Sequence, residues 1–123
     1  NVLNEPAYIC HCCSCCCVIL RGIHQSGHYA THPSNFIPQL EPESCVGCGT
    51  CADSCHIGAI SMQEGPGGGE IPSVNREACI GCGVCAAACP NGSLSMSRRP
   101  VLHVPPANAK EKFLKIAAEK ERF

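Results

Sequence analysis

Cysteine is the residue type here with chemistry to offer, and its spacing says which chemistry. Cys45, Cys48, Cys51 and Cys55 stand as C-x2-C-x2-C-x3-C. Cys79, Cys82, Cys85 and Cys89 repeat that spacing and are followed by Pro90. Thiolates are soft ligands that suit zinc and iron–sulfur clusters. A tight loop with a cysteine at every third residue can aim three thiolates at one iron–sulfur cube. The fourth cysteine turns away into the following helix and so reaches a second cube. Gly47 and Gly49 flank Cys48, and Gly81 and Gly83 flank Cys82. There the backbone must bend sharply and approach the cluster closely.

The two motifs sit in a duplicated unit. Residues 45–62 and 79–96 align at an offset of 34, with ten of eighteen positions identical. Self-similarity of this kind implies two related halves around a pseudo-twofold. Each fourth cysteine is followed by a turn and a short apolar run, 59–62 and 93–96, which read as strands. Glu64-Gly-Pro-Gly-Gly-Gly-Glu70 is a turn, and Ile71-Pro-Ser-Val74 is the returning strand of a hairpin. Pro33, Pro38 and Pro42 keep 33–44 extended, with room for one strand. Val101-Leu-His-Val104 reads as a last strand. Pro105-Pro106 then lead into a helix capped by Asn108. Phe113, Ile116 and Ala117 share one of its faces, and Glu111–Lys115 form an i, i+4 pair on another. That helix is expected to pack on the body or to dock a partner, and terminal Phe123 suggests an apolar destination for the tail.

Composition narrows the class. The chain has 123 residues, only 4% aromatics, no Trp and fourteen cysteines. A large aromatic core is excluded, so clusters are expected to replace it and the apo form to be largely unfolded. A disulfide scaffold is the alternative use of many cysteines. Eight of them have cluster spacing and no signal peptide precedes them, which favours metal and a cytoplasmic location. Formal charge is −1; eight thiolates and two oxidised cubes would make it about −5. An acidic surface suits a basic patch on a redox partner and argues against nucleic acid. No apolar run is long enough for membrane insertion. Asn1 is not an initiator Met, so the chain is expected to be processed or a piece of a longer polypeptide.

A second dense stretch precedes the repeat. Residues 10–17, Cys-His-Cys-Cys-Ser-Cys-Cys-Cys, carry six cysteines in eight positions. Cys10, Cys13 and Cys16 repeat the x2, x2 spacing, and Cys12, Cys17 or His11 could supply a fourth ligand. The reading is a third metal site at Cys10, Cys12, Cys13 and Cys16, holding an iron–sulfur cluster or zinc. A disulfide or free-thiol knot is the alternative. Val18 to Gln25 continues as a short helix. His24, His28 and His32 would line one face of a continuous helix and could bind metal there. Gly27 and Pro33 weaken that helix, so solvent-facing histidines in a turn are expected.

Residues 45–96 resemble a bacterial two-cluster [4Fe-4S] ferredoxin over somewhat under half of the chain. The resemblance implies an α+β fold with two β–α–β halves and two cubes. It also implies that Cys45, Cys48, Cys51 and Cys89 hold the first cube, and Cys79, Cys82, Cys85 and Cys55 the second. Crossed ligands would staple the halves, so losing one cysteine should damage both. His56 departs from the family's proline at that turn, where Pro90 stands in the other half. It is expected to be a tolerated substitution, or else a group that shifts the neighbouring cluster's potential. The run at 10–17, followed by a short helix and a dicluster domain, is similar to the carboxyl-terminal part of longer iron–sulfur proteins of anaerobes. The expected organisation is therefore a Cys-rich extension at 1–35, a dicluster domain at 36–104 and an amphipathic helix at 105–123.

Electron transfer, as a module or subunit of a larger redox complex, is the function these features favour. Catalysis in its own right is disfavoured. No C-x3-C-x2-C radical spacing occurs, and no cluster loop lacks a cysteine. Only an incompletely ligated cluster at 10–17 would allow it. A zinc or redox-sensing regulator fits the amino-terminal cysteines, but no basic stripe offers DNA contact.

Overall fold

The computed structural model describes residues 2–7 and 9–120. Phe123 lies outside the described residues. The chain divides into two compact units, Cys12–Leu102 and Asn1–His11 with His103–Phe123.

In the larger unit the order is α1 (Val18–Ser26), β1 (Phe36–Leu40), a 3-10 turn (Pro42–Ser44), α2 (Thr50–Asp53), β2 (Ile60–Glu64), β3 (Glu70–Val74), α3 (Val84–Ala88) and β4 (Leu94–Arg98). Helices and small antiparallel sheets together are compatible with an α+β class. β2 and β3 form one two-stranded sheet with Ile60 opposite Val74 and Glu64 opposite Glu70. β1 pairs with β4, Phe36 opposite Arg98 and Leu40 opposite Leu94. The first pairing is a hairpin whose glycine-rich turn is closed by the Gly65 N–H on the Gly69 carbonyl at 2.7 Å. The second brings together strands from opposite ends of the repeat.

The run 101–104 is not a strand. It is irregular, and Val101, Leu102 and Val104 are exposed. β4 ends at Arg98, and the two-stranded sheet it forms with β1 does not extend to 101–104. α1 stops where Gly27 adopts φ 66° and donates back to the Ile23 carbonyl at 2.9 Å, a left-handed helix terminus. His24 therefore lies in the helix, while His28 and His32 fall beyond it, and no shared helical face forms.

The core is small and partly made of cysteine. Leu20 and Ile23 of α1 pack with Ile57 and Ala59, against Cys17, Cys55 and Cys79. Burying each of those two large side chains stabilises by about 1.5–3 kcal/mol. A second cluster joins Cys51 of α2, Cys85 of α3, Ile60 of β2 and Leu94 of β4. A thiol there occupies the place an aliphatic side chain would hold in an ordinary domain of this size.

In the smaller unit, α4 (Ala109–Lys120) is the principal element. The Asn108 carboxamide oxygen accepts from the Glu111 N–H at 3.0 Å, and the Glu111 carboxylate accepts from the Ala107 N–H at 2.9 Å. This reciprocal cap fixes the helix start. Lys115 pairs with Glu111 at 2.9 Å and, with the Ala107 N–H, holds that carboxyl below its usual range. A depressed carboxyl stabilises the cap at neutral pH, and the contribution disappears as pH falls through its folded value. The Leu3 and Asn4 N–H groups donate to the carbonyls of Pro106 and Ala107, tying the lead-in to the helix approach. Asn108→Ala should cost α4 about 1 kcal/mol. Amide exchange at residues 109–112 should then speed up about fivefold, as hydrogen-exchange mass spectrometry would show.

Candidate metal centres

Each motif folds as a loop feeding a one-turn helix. The loops carry left-handed glycines at matching places: Gly47 and Gly81 at φ 69°, Gly49 at 75° and Gly83 at 82°. Gly47 and Gly81 are also crowded. A β-carbon on Gly47 would lie 2.6 Å from the Glu70 carbonyl oxygen. One on Gly81 would overlap the Phe36 carbonyl and the Ser34 hydroxyl. Each thiol loop is thus laid directly on the backbone at a strand end, β3 for the first and β1 for the second. That contact sets where the cysteines point.

The first grouping surrounds a recess of about 340 Å³, part of it open to solvent. Cys45, Cys48 and Cys51 line it from one motif and Cys89 from the other. Leu40, Val46, Met62, Pro72 and Leu94 supply apolar walls. Cys51 is buried and Cys48 exposed, so the four thiols run from the core to the rim. In the second grouping the Cys85 thiol feels the charges of Cys79, Cys82 and Cys55. Here too one thiol is buried, Cys85, and one exposed, Cys82. Folding therefore brings the fourth cysteine of each motif to the other motif's three.

The thiols differ in ease of ionisation, with physical causes. Burial pushes Cys85 up to about 11 and raises Cys51 in the same direction. Burial also raises Cys79. The Thr50 hydroxyl, 3.3 Å from the Cys48 sulfur, and the Thr50 N–H draw Cys48 down. For Cys89, burial pushes upward, but the N–H groups of Ser93, Asn91 and Leu94 outweigh it. The crossed cysteines are matched: the Ala59 N–H donates to Cys55 sulfur at 3.2 Å, and the Ser93 N–H to Cys89 sulfur at 3.3 Å. Both pairs are four residues apart. N–H donors aimed at sulfur stabilise the thiolate, the form that ligates metal.

The donor set fits a cluster better than a single ion. Tetrahedral zinc with Zn–S near 2.3 Å would hold its sulfurs within about 4 Å of one another. Among the described residues no three His, Cys, Asp or Glu side chains close on such a point. Four thiols spread around a recess suit a larger inorganic core, and the left-handed glycines allow the backbone to approach it.

The amino-terminal cysteines are arranged otherwise. Cys13 and Cys15 are joined by a disulfide, so ligation by Cys13 requires its reduction. Cys10, Cys12 and Cys16 are exposed. Cys17 sits at the start of α1, where the Leu20 N–H pulls its thiol down. It also packs in the same apolar cluster as Cys55 and Cys79. His56 is half-buried. The His24 ring lies beside Gly58, where a β-carbon would meet it at 3.3 Å.

The residues absent from the sequence reading are Tyr29, Ser34 and Arg99. The Tyr29 hydroxyl donates to the Ala78 carbonyl at 3.1 Å, the Arg99 guanidinium to Cys79 at 2.6 Å, the Ser34 N–H to Ile80 at 2.9 Å and the Ser34 hydroxyl to Gly81 at 2.6 Å. Four successive carbonyls of the second loop are thereby occupied. At the 34-residue offset Arg99 faces Gly65, beyond the end of the repeat.

Gly47→Ala should cost about 2 kcal/mol or more, from the left-handed backbone and the clash with Glu70. Iron retained per chain after anaerobic loading should fall, and the denaturation midpoint with it. Residues 44–93 match the family model of the 4Fe-4S dicluster domain. No curated protein matches the chain. The family match supports iron–sulfur cluster binding and electron transfer by this segment.

Proposed function

We propose that the chain carries electrons through two [4Fe-4S] clusters as a ferredoxin-type module of a larger redox complex. The observation that carries this reading is the exchange of fourth cysteines between two motifs that share one family match. In this reading Cys45, Cys48, Cys51 and Cys89 hold one cluster, and Cys79, Cys82, Cys85 and Cys55 hold the other. When bound, each cluster supplies one-electron redox chemistry.

The chain's own residues set the conditions for that chemistry. Buried Cys51 and Cys85 keep one side of each site in apolar surroundings. Exposed Cys48 and Cys82 mark the rim where a partner would approach. N–H donors on Cys55 and Cys89 stabilise negative charge on sulfur and so favour the reduced state. The acidic balance of the loaded domain suits a basic docking patch on the partner. A cytoplasmic, anaerobic setting accords with oxygen-sensitive clusters. No helix among the described residues is long and apolar enough to cross a membrane.

A second reading has an observation of its own. Cys17 packs on the same apolar cluster as Cys55 and Cys79, which puts the end of the amino-terminal run near the second grouping. A third cluster or a structural zinc at Cys10, Cys12, Cys13 and Cys16 would then extend the relay or brace it.

Anaerobic metal analysis tests both. About eight irons per chain are expected for two cubes. About twelve irons would place a third cluster at the amino terminus, and eight with one zinc would make that site structural. Fewer than eight after reconstitution would sink the dicluster reading. Cys55→Ala should reduce iron to half or less, depleting a grouping whose other three cysteines lie in the second motif.

A further inference from the structure

The two halves end differently. β2 runs out at Glu64-Gly65, whereas β4 runs out at Arg98-Arg99 at the equivalent positions. Gly65 has no side chain to reach back to its loop. Arg99 has, and its guanidinium donates to four backbone carbonyls. Nε donates to the Ser34 carbonyl at 2.9 Å and the Phe36 carbonyl at 3.2 Å. Nη1 donates to the Arg76 carbonyl at 3.4 Å, and Nη2 to the Cys79 carbonyl at 2.6 Å. One side chain therefore joins the linker before β1, the edge of β1, the turn after β3 and the first cysteine of the second loop.

Resting on the dicluster reading, we infer that Arg99 is a positioning residue that makes the two sites unequal. It locks the Cys79 loop and places a permanent positive charge beside that site alone. A guanidinium stays protonated at any physiological pH. Every acceptor it meets is a neutral carbonyl, so its charge is not cancelled by an ion pair at those contacts. Reduction adds an electron, and a nearby cation stabilises the more negative state. The site of Cys79, Cys82, Cys85 and Cys55 thus takes the electron in preference to its neighbour. An electron entering through the first site runs downhill to the second, the one against which α1 and Cys17 pack.

The test compares the full chain with Arg99→Gln and Arg99→Lys, each reconstituted anaerobically, by potentiometric titration with iron counted in parallel. Wild type should show two resolved one-electron steps. In R99Q the higher step should fall toward the lower, shifting the equilibrium between sites about tenfold, which is about 59 mV for one electron. R99K, which keeps the charge and loses the fork, should retain most of the gap. A single unresolved step in wild type, an unchanged gap in R99Q, or equal collapse in both variants overturns the proposal. If R99Q does not hold iron, R99K decides: a wild-type gap supports the charge role, and a collapsed gap or failure to load overturns it. Wild type with fewer than about eight irons would instead remove the dicluster reading beneath the proposal.

Discussion

The close approach of each thiol loop to strand backbone is the constraint on which the rest of the structure depends. Gly47 lies on the Glu70 carbonyl and Gly81 on that of Phe36, with no space for a β-carbon at either. From those contacts the loops turn through Gly49 and Gly83 into α2 and α3, which carry Cys51 and Cys85 into the core. The sheets matter chiefly because their ends are the surfaces that the loops press on. Cysteines are thus both core and donor set. Metal held by these cysteines would be coupled to folding, since the groups that would ligate are also those that fill the interior.

Duplication makes the two cysteine groupings alike in composition and in hydrogen bonds to their crossed cysteines. Ala59 and Ser93 donate to Cys55 and Cys89 in the same way, four residues on. The sites diverge in what surrounds the loops. The second loop is fastened through the carbonyls of residues 78–81 by Tyr29, Ser34 and Arg99. Two of those three fasteners come from the segment between α1 and β1, outside the repeat. α1 also covers Cys55 and Cys79 from the same side. The extension before the repeat therefore serves as a brace for one site, whatever its own cysteines bind. A relay gains direction from such inequality, because identical sites would share an electron evenly.

The cysteine groupings and most strands were legible for a simple reason. C-x2-C-x2-C-x3-C repeated at an offset of 34 leaves few ways to place thiols, and turn residues such as 64–70 announce their hairpin. The helix at 109–120 was legible through the Asn108 cap and the Glu111–Lys115 pair, both of which are local. Misreading came where a local pattern had no partner. Val101 to Val104 has strand-like residues, but β4 stops at Arg98 and neither two-stranded sheet takes them up. The three histidines spaced by four share no helical face, as Gly27 and Pro33 implied, because Gly27 ends α1.

By itself the sequence determined which thiols are present and how each loop spaces them, because residue type and spacing are properties of the chain. Tertiary structure alone decided what stands around them. Arg99 reaches the Cys79 carbonyl from twenty residues away, and Ser34 reaches Gly81 from forty-seven. Hydrogen bonds to backbone carbonyls leave no mark in residue type, since every residue has one. Which carbonyl a guanidinium or hydroxyl meets depends on how β1 and β4 pair and where the second loop lies on them.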